Sequence, residues 1–281
     1  MAENKVTIGI CQLKQDLDIS SNIQKSADMA EMAAGNGASI AVLPEMFLCP
    51  YEPFYIKKAL KSSEYAIDVL RKTALRNRIY IVAGSVPWSR GEAKPYNRAF
   101  VINPAGEEIF FHDKMHLFDC DPPGGAKVVE SATVQAGNTL GAFKTPWGMC
   151  SVIVCYDIRF TSLTQLLADM GVRILFIPAA FSMTTGPAHW EMLVRMRAME
   201  LQGYVAGVQP ARNKEFNYIP YGHSIVAGPF GEVIADLGEG ESLSVIEIDL
   251  NECDNIKKRF PLHEHRRSDL YRTVWLNEDR N

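Results

Sequence analysis

No C-x-x-C pair occurs anywhere in the 281 residues, and the six cysteines, at positions 11, 49, 120, 150, 155 and 253, are scattered. A disulfide framework or a cysteine-based zinc site needs close, repeated spacings, so neither is expected. Free thiols in a reducing compartment follow, with a cytoplasmic location as the expectation. Long apolar runs are also missing. The longest, Ile174 to Phe181, is far too short to cross a bilayer. Residues 1–10 carry charge and then alternate, so neither a signal peptide nor a membrane partner is expected. Basic clusters with interleaved aromatics are absent, and the net charge is −4. That balance argues against a nucleic-acid partner. There is no G-x-S-x-G elbow and no G-K-[ST] loop, which removes the serine-hydrolase and P-loop readings. Gly35 and Gly37 form only a fragment of a dinucleotide fingerprint, in the wrong helix-to-strand context. The pairs His112/His116 and His263/His265 lack a helical frame and further ligands, so no metal site is expected.

What remains is an ordinary globular composition, with 47% hydrophobic and 22% charged residues. No linker and no short repeat divides the chain, so one domain over residues 1–281 is expected. Val6 to Leu13 alternates as a strand. Ser20 to Asn36 reads as a helix capped by Ser20 and stopped at Gly35-Asn36-Gly37. Ile40 to Leu43 and Tyr80 to Gly84 read as strands around a helix from Ser63 to Asn77. Residues 98–111 and 140–154 read as two hairpins. Lys114 to Gly137 is a long loop rich in proline and glycine. Later strands are expected at 173–177, 204–208, 224–227, 232–235 and 244–248, with helices at 188–201 and 250–259. The charged tail from 266 to 281 is expected to wrap a surface or a partner subunit. Two mixed sheets packed face to face, with helices outside each, use all of these segments.

Three polar residues stand where apolar strands end. Glu45 follows Val42-Leu43-Pro44, Lys114 follows Ile109-Phe110-Phe111, and Cys155 follows Val152-Ile153-Val154. Each alone has an ordinary reading: a loop carboxylate, a surface lysine, a small core residue. Together they make a reactive set, because ligands bind at strand ends in α/β folds. A carboxylate takes a thiol proton, and an ammonium holds first a thiolate and then an oxyanion. Cys155 is expected on a turn that opens a helix, where outward N–H groups favour a thiolate.

Leu43-Pro44-Glu45-Met46-Phe47, His112 to Asp119 and Val154 to Phe160 resemble the three signature motifs of the nitrilase superfamily of carbon–nitrogen hydrolases. The likeness runs from Val6 to Tyr271. It implies a four-layer αββα sandwich with Glu45 as base, Lys114 as the lysine and Cys155 as nucleophile. It also implies that Glu130 orients Lys114 or the substrate, that the Tyr156 N–H and Lys114 bind an oxyanion, and that no cofactor is needed. A homodimer built from helices beside the nucleophile is a further implication. Cys155-Tyr156-Asp157 departs from true nitrilases, which carry Trp-Glu after the cysteine. Phe181 to Trp190 and Lys114 to Asp119 are similar to the omega-amidase branch, whose members hydrolyse the terminal amide of 2-oxoglutaramate and 2-oxosuccinamate.

Deaminated-glutathione amidases share much of this pattern, and a non-catalytic scaffold on the same fold is an alternative of another class. A small-molecule amide with a charged end needs a cation. Arg159 is a candidate, although an ion pair with Asp157 is an equal reading of it. Arg173 and Arg195 are weaker candidates. Phe181, Met183 and Thr184 are candidate substrate-binding residues. Trp88, Trp147 and Trp190 read as core or interface.

Overall fold

Strand β1 (Lys5–Gln12) shows how one strand serves two layers. The computed structural model describes residues 4–276. Val6, Ile8 and Ile10 join a cluster with Val152, Val154, Ile174, Phe176 and Val205. Cys11 belongs to a second cluster, with Ala41, Leu43, Ile23, Ala30, Ile67 and Leu70. Side chains alternate across a strand, so one face reaches a second sheet and the other reaches helices.

The first half continues through α1 (Ile19–Gly35), β2 (Ile40–Val42), α2 (Pro53–Ala59), α3 (Ser63–Asn77), β3 (Tyr80–Val82), β4 (Val86–Trp88), β5 (Tyr96–Ile102) and β6 (Glu108–Asp113). Next come β7 (Asp119–Cys120), β8 (Val128–Val129), β9 (Phe143–Thr145), β10 (Gly148–Val152), α4 (Thr161–Asp169) and β11 (Val172–Pro178). The chain then forms α5 (Gly186–Leu201), β12 (Tyr204–Val208), β13 (Ile225–Ala227), β14 (Val233–Asp236), β15 (Ser242–Asp249) and α6 (Asn251–Arg259). One sheet has the order β15-β1-β2-β3-β5-β4, with β6 on β5; the other runs β14-β13-β12-β11-β10-β9. Both are mixed: β1, β2 and β3 are parallel, as are β10, β11 and β12, with antiparallel strands outside them. Helices α1 and α3 cover the first sheet, and α4 and α5 cover the second. This is the αββα sandwich expected from the sequence.

Several local readings need correction. Asp18, not Ser20, caps α1, and its side chain accepts the Ser20 N–H. Helix α5 begins two residues before Ala188, with Pro187 in its first turn, where a missing N–H costs nothing. Helix α2 and strand β4 are additions. β4 holds Pro87 and lies at a sheet edge, which is where proline is tolerated. The long loop after Lys114 is pinned by the small β7–β8 hairpin. The described part of the tail lies on α4, through Arg266 to Asp169 and Thr273 to Gln165. Residues 277–281 of that tail lie outside the described residues.

The turn that carries Glu45 depends on a glycine opposite it. Gly84 has φ +42°, and a Cβ there would lie 2.0 Å from the Pro44 carbonyl oxygen. Gly84→Ala is therefore expected to cost about 2–3 kcal/mol in urea unfolding, through overpacking and a left-handed backbone. An unchanged midpoint would contradict this account of the turn.

Candidate active site

Glu45 stands three residues past the end of β2, Lys114 directly after β6, and Cys155 three residues past β10. The first two come from one sheet and the third from the other. All three side chains are buried and converge. Lys114 Nζ donates to Glu45 Oε1 at 3.0 Å, to Glu130 Oε1 and Oε2 at 3.1 and 2.9 Å, and to the Tyr51 hydroxyl at 3.2 Å. Asn97 Nδ2 donates to Glu45 Oε1 at 2.7 Å and to Glu130 Oε1 at 3.4 Å. The Phe118 N–H donates to Glu130 Oε2 at 2.6 Å. Glu45 Oε2 is buried without a conventional partner, and the Cys155 thiol is within interaction distance of this carboxyl.

The two carboxylates are therefore differently placed. Both oxygens of Glu130 are engaged, whereas Glu45 keeps Oε2 without a partner. Burial pushes the Glu45 carboxyl above its ordinary pKa; Lys114 pulls it back, and the nearby Glu130 charge adds to the rise. Burial acts on Lys114 in the opposite sense, favouring its neutral form. The flanking Glu130 and Glu45 outweigh it and hold the ammonium well above its usual range. Burial and the Glu45 charge also push the Cys155 thiol well up, against Lys114 and the Ala180 N–H. The expectation of a resting thiolate is thus corrected. Cys155 opens a five-residue 3₁₀ turn (Cys155–Arg159) that leads into α4, and it is buried near the Glu45 carboxyl.

Cys155 has φ 48°, a costly left-handed conformation for a residue with a Cβ. Asp157 holds the turn in place. Its Oδ2 accepts from the Val154 N–H at 3.1 Å and meets His112 Nε2 at 2.9 Å. Its Oδ1 accepts the His116 N–H at 2.9 Å and meets His116 Nδ1 at 2.8 Å. Burial would raise the Asp157 carboxyl, but the hydrogen bonds from His112 and His116 outweigh it. They hold the group well below the usual carboxylate range. Both histidines flank Lys114 in sequence, so one carboxylate clamps the lysine segment to the cysteine turn.

A cleft opens onto Cys155 and Lys114, lined also by Tyr51, Tyr156, Arg159, Phe181, Thr185 and Tyr218. Arg159 and Phe181 line it, as does Thr185; Met183 and Thr184 are not among its lining residues, and Met183 is 39% exposed. Asp157 is engaged by the histidines, so Arg159 does not form the ion pair weighed for it. Arg173 binds Asp254 and the Leu250 carbonyl, and Arg195 binds Glu191 and the Gly231 carbonyl, so neither reaches the cavity. The Tyr156 N–H has no acceptor among the described residues. Asn97, Tyr51 and Tyr218 are additions that no local sequence signal marks.

Residues 7–258 match the Carbon-nitrogen hydrolase family. The chain is 41% identical over 269 residues to Omega-amidase NIT2 of Danio rerio, covering 95% of this chain and 97% of that one. It is 38% identical over 265 residues to Omega-amidase NIT2 of Homo sapiens, covering 94% and 96%. The crystal structure of Saccharomyces cerevisiae Nit3, a member of branch 10 of the nitrilase superfamily, superposes with a TM-score of 0.86 at 33% identity, over 95% of this chain and 98% of that one.

The Asp157 clamp has a pH signature. Its native pKa lies below the unfolded value of about 3.9. The ionised group thus stabilises the fold in full above that value, and the contribution fades as pH falls toward the native pKa. Asp157→Asn is expected to cost about 2–3 kcal/mol at pH 7. In urea titrations the gap to the native chain should narrow below about pH 4. A gap that is constant with pH would count against the clamp.

Proposed function

The chain belongs to the carbon-nitrogen hydrolase family, within the nitrilase superfamily, and acts on amides; from that premise we propose that it is a thiol amidase removing the terminal amide of a small 2-oxo dicarboxylic acid monoamide, 2-oxoglutaramate or 2-oxosuccinamate. The observation that carries this reading is one cleft lined by Cys155, Lys114 and Arg159, with Glu45 bonded to Lys114. The omega-amidase relatives point the same way. A scaffold role is disfavoured, because Glu45, Lys114 and Cys155 are all retained in the sequence.

In this reading Glu45 accepts the Cys155 proton as sulfur attacks the amide carbon. The oxyanion forms against the Lys114 ammonium and the Tyr156 N–H. One such donor is worth about 3–4 kcal/mol. The intermediate collapses with loss of the C–N bond, and the proton on Glu45 passes to nitrogen, which leaves as ammonia. A thioester to Cys155 remains. Glu45 then takes a proton from water, the hydroxide oxygen bonds to carbon, and the C–S bond breaks to return the thiol. Glu130 keeps Lys114 in place. Its oxygens are taken up by that pairing, which leaves Glu45, whose Oε2 has no partner, as the group that shuttles protons. Arg159 receives the distal carboxylate. The same proposal includes a homodimer through α5, where Met192, Met196 and Met199 are 63, 47 and 44% exposed at helical spacing.

Ammonia release from 2-oxoglutaramate tests the reaction. Cys155→Ala should reduce it by more than about 10³-fold, since a nucleophile acts as one unit with its base. Equal rates would overturn the reading. The acid limb of kcat/KM should lie above the ordinary glutamate value of about 4.3, because the base must be ionised and burial raises it. Light scattering should give twice the chain mass; a clean monomer would refute the dimer.

A further inference from the structure

Arg159 differs from the other buried or half-buried arginines in what holds it. Arg98 forks onto Asp113, Arg197 pairs with Glu200, and Arg173 pairs with Asp254. No carboxylate pairs with Arg159 among the described residues. Its Nη1 instead meets His189 Nδ1 at 3.2 Å. Its Nε is buried and has no hydrogen-bond partner. The guanidinium lies 5.0 Å from the Phe181 ring centroid and 5.6 Å from that of Tyr156, and all three residues line the cavity. A charged group in the cleft is thus oriented but not neutralised.

From this geometry we infer that His189 is a positioning residue for substrate selectivity: it fixes the Arg159 fork while leaving its positive charge free for the carboxylate of the substrate. The inference rests on the proposed substrate class and extends it to a residue outside the cavity lining. An arginine in a protein is always a donor. His189 Nδ1 must therefore accept, which places the ring proton on Nε2. An acidic residue in that place would make a stronger bond to Arg159, but it would compete with the incoming carboxylate. A lysine would repel the guanidinium. A neutral acceptor on the first turn of α5 does neither. The aromatic rings restrict the plane of the fork, and His189 sets its rotation within that plane. The Arg159 N–H groups that His189 does not take up are then left for a charge-assisted bond, the type of contact that reads carboxylates with most geometric demand.

The test compares kcat/KM for 2-oxoglutaramate with that for pentanamide, an uncharged amide of similar length, in the native chain, His189→Leu and His189→Asn. The native chain should favour the carboxylate substrate. His189→Leu should lower that selectivity ratio by about 10-fold or more, carried by KM rather than kcat, as expected for a loosened charged contact. His189→Asn, whose Oδ1 can stand in for Nδ1, should restore most of the ratio. A ratio preserved in His189→Leu, whether or not overall activity falls, overturns the inference and leaves the substrate reading intact. Failure of His189→Asn to restore the ratio when both variants melt like the native chain also overturns it. A native chain indifferent to the carboxylate overturns the substrate class, and the inference with it.

Discussion

A lysine ammonium buried between two carboxylates organises this site. Taking an ion out of water costs several kcal/mol even after relaxation, so Lys114 stays charged only because Glu130 and Glu45 flank it. The arrangement forces the carboxylates apart in character. Glu130 is saturated by Lys114, Asn97 and the Phe118 N–H. Glu45 shares the lysine but keeps Oε2 open. One group becomes a fixed counter-charge, and the other becomes a base of raised proton affinity next to a protonated thiol. In the proposed mechanism the proton of that thiol passes to this base.

The fold brings these groups together by placing strand ends from two sheets at one rim, and Asp157 secures the join. It binds His112 at the end of β6, His116 just past Lys114, and the backbone just before Cys155. The two motifs that look independent in the sequence are therefore held by one carboxylate. This explains why a left-handed cysteine persists: the strain is small beside four hydrogen bonds to a buried anion. His112 and His116, which resemble a metal pair by spacing, serve as partners of that anion.

Much of this was legible in the chain. Alternation in β1 and the buried runs before Glu45, Lys114 and Cys155 announced a layered α/β fold with polar residues at strand ends. Helix α2 gave no such signal, because only Ile56 and Ala59 of its seven residues are buried and no apolar stripe forms. Strand β4 was hidden by Pro87. Asn97 could not be found locally, since its partners lie far away at positions 45 and 130 in the sequence. The thiolate expectation failed for a different reason. A strand-to-helix turn suggests donors for a sulfur anion, but it says nothing of burial or of the neighbouring carboxylate.

The central claim is that the sulfur of Cys155, activated within this charge cluster, carries the acyl group between two steps. Partitioning with hydroxylamine tests it most directly. If a thioester forms, hydroxylamine intercepts it, and the hydroxamate of the acyl group should replace the free acid as its concentration rises, with ammonia still released at each turnover. Ammonia release with free acid as the sole product at every hydroxylamine concentration would contradict the account.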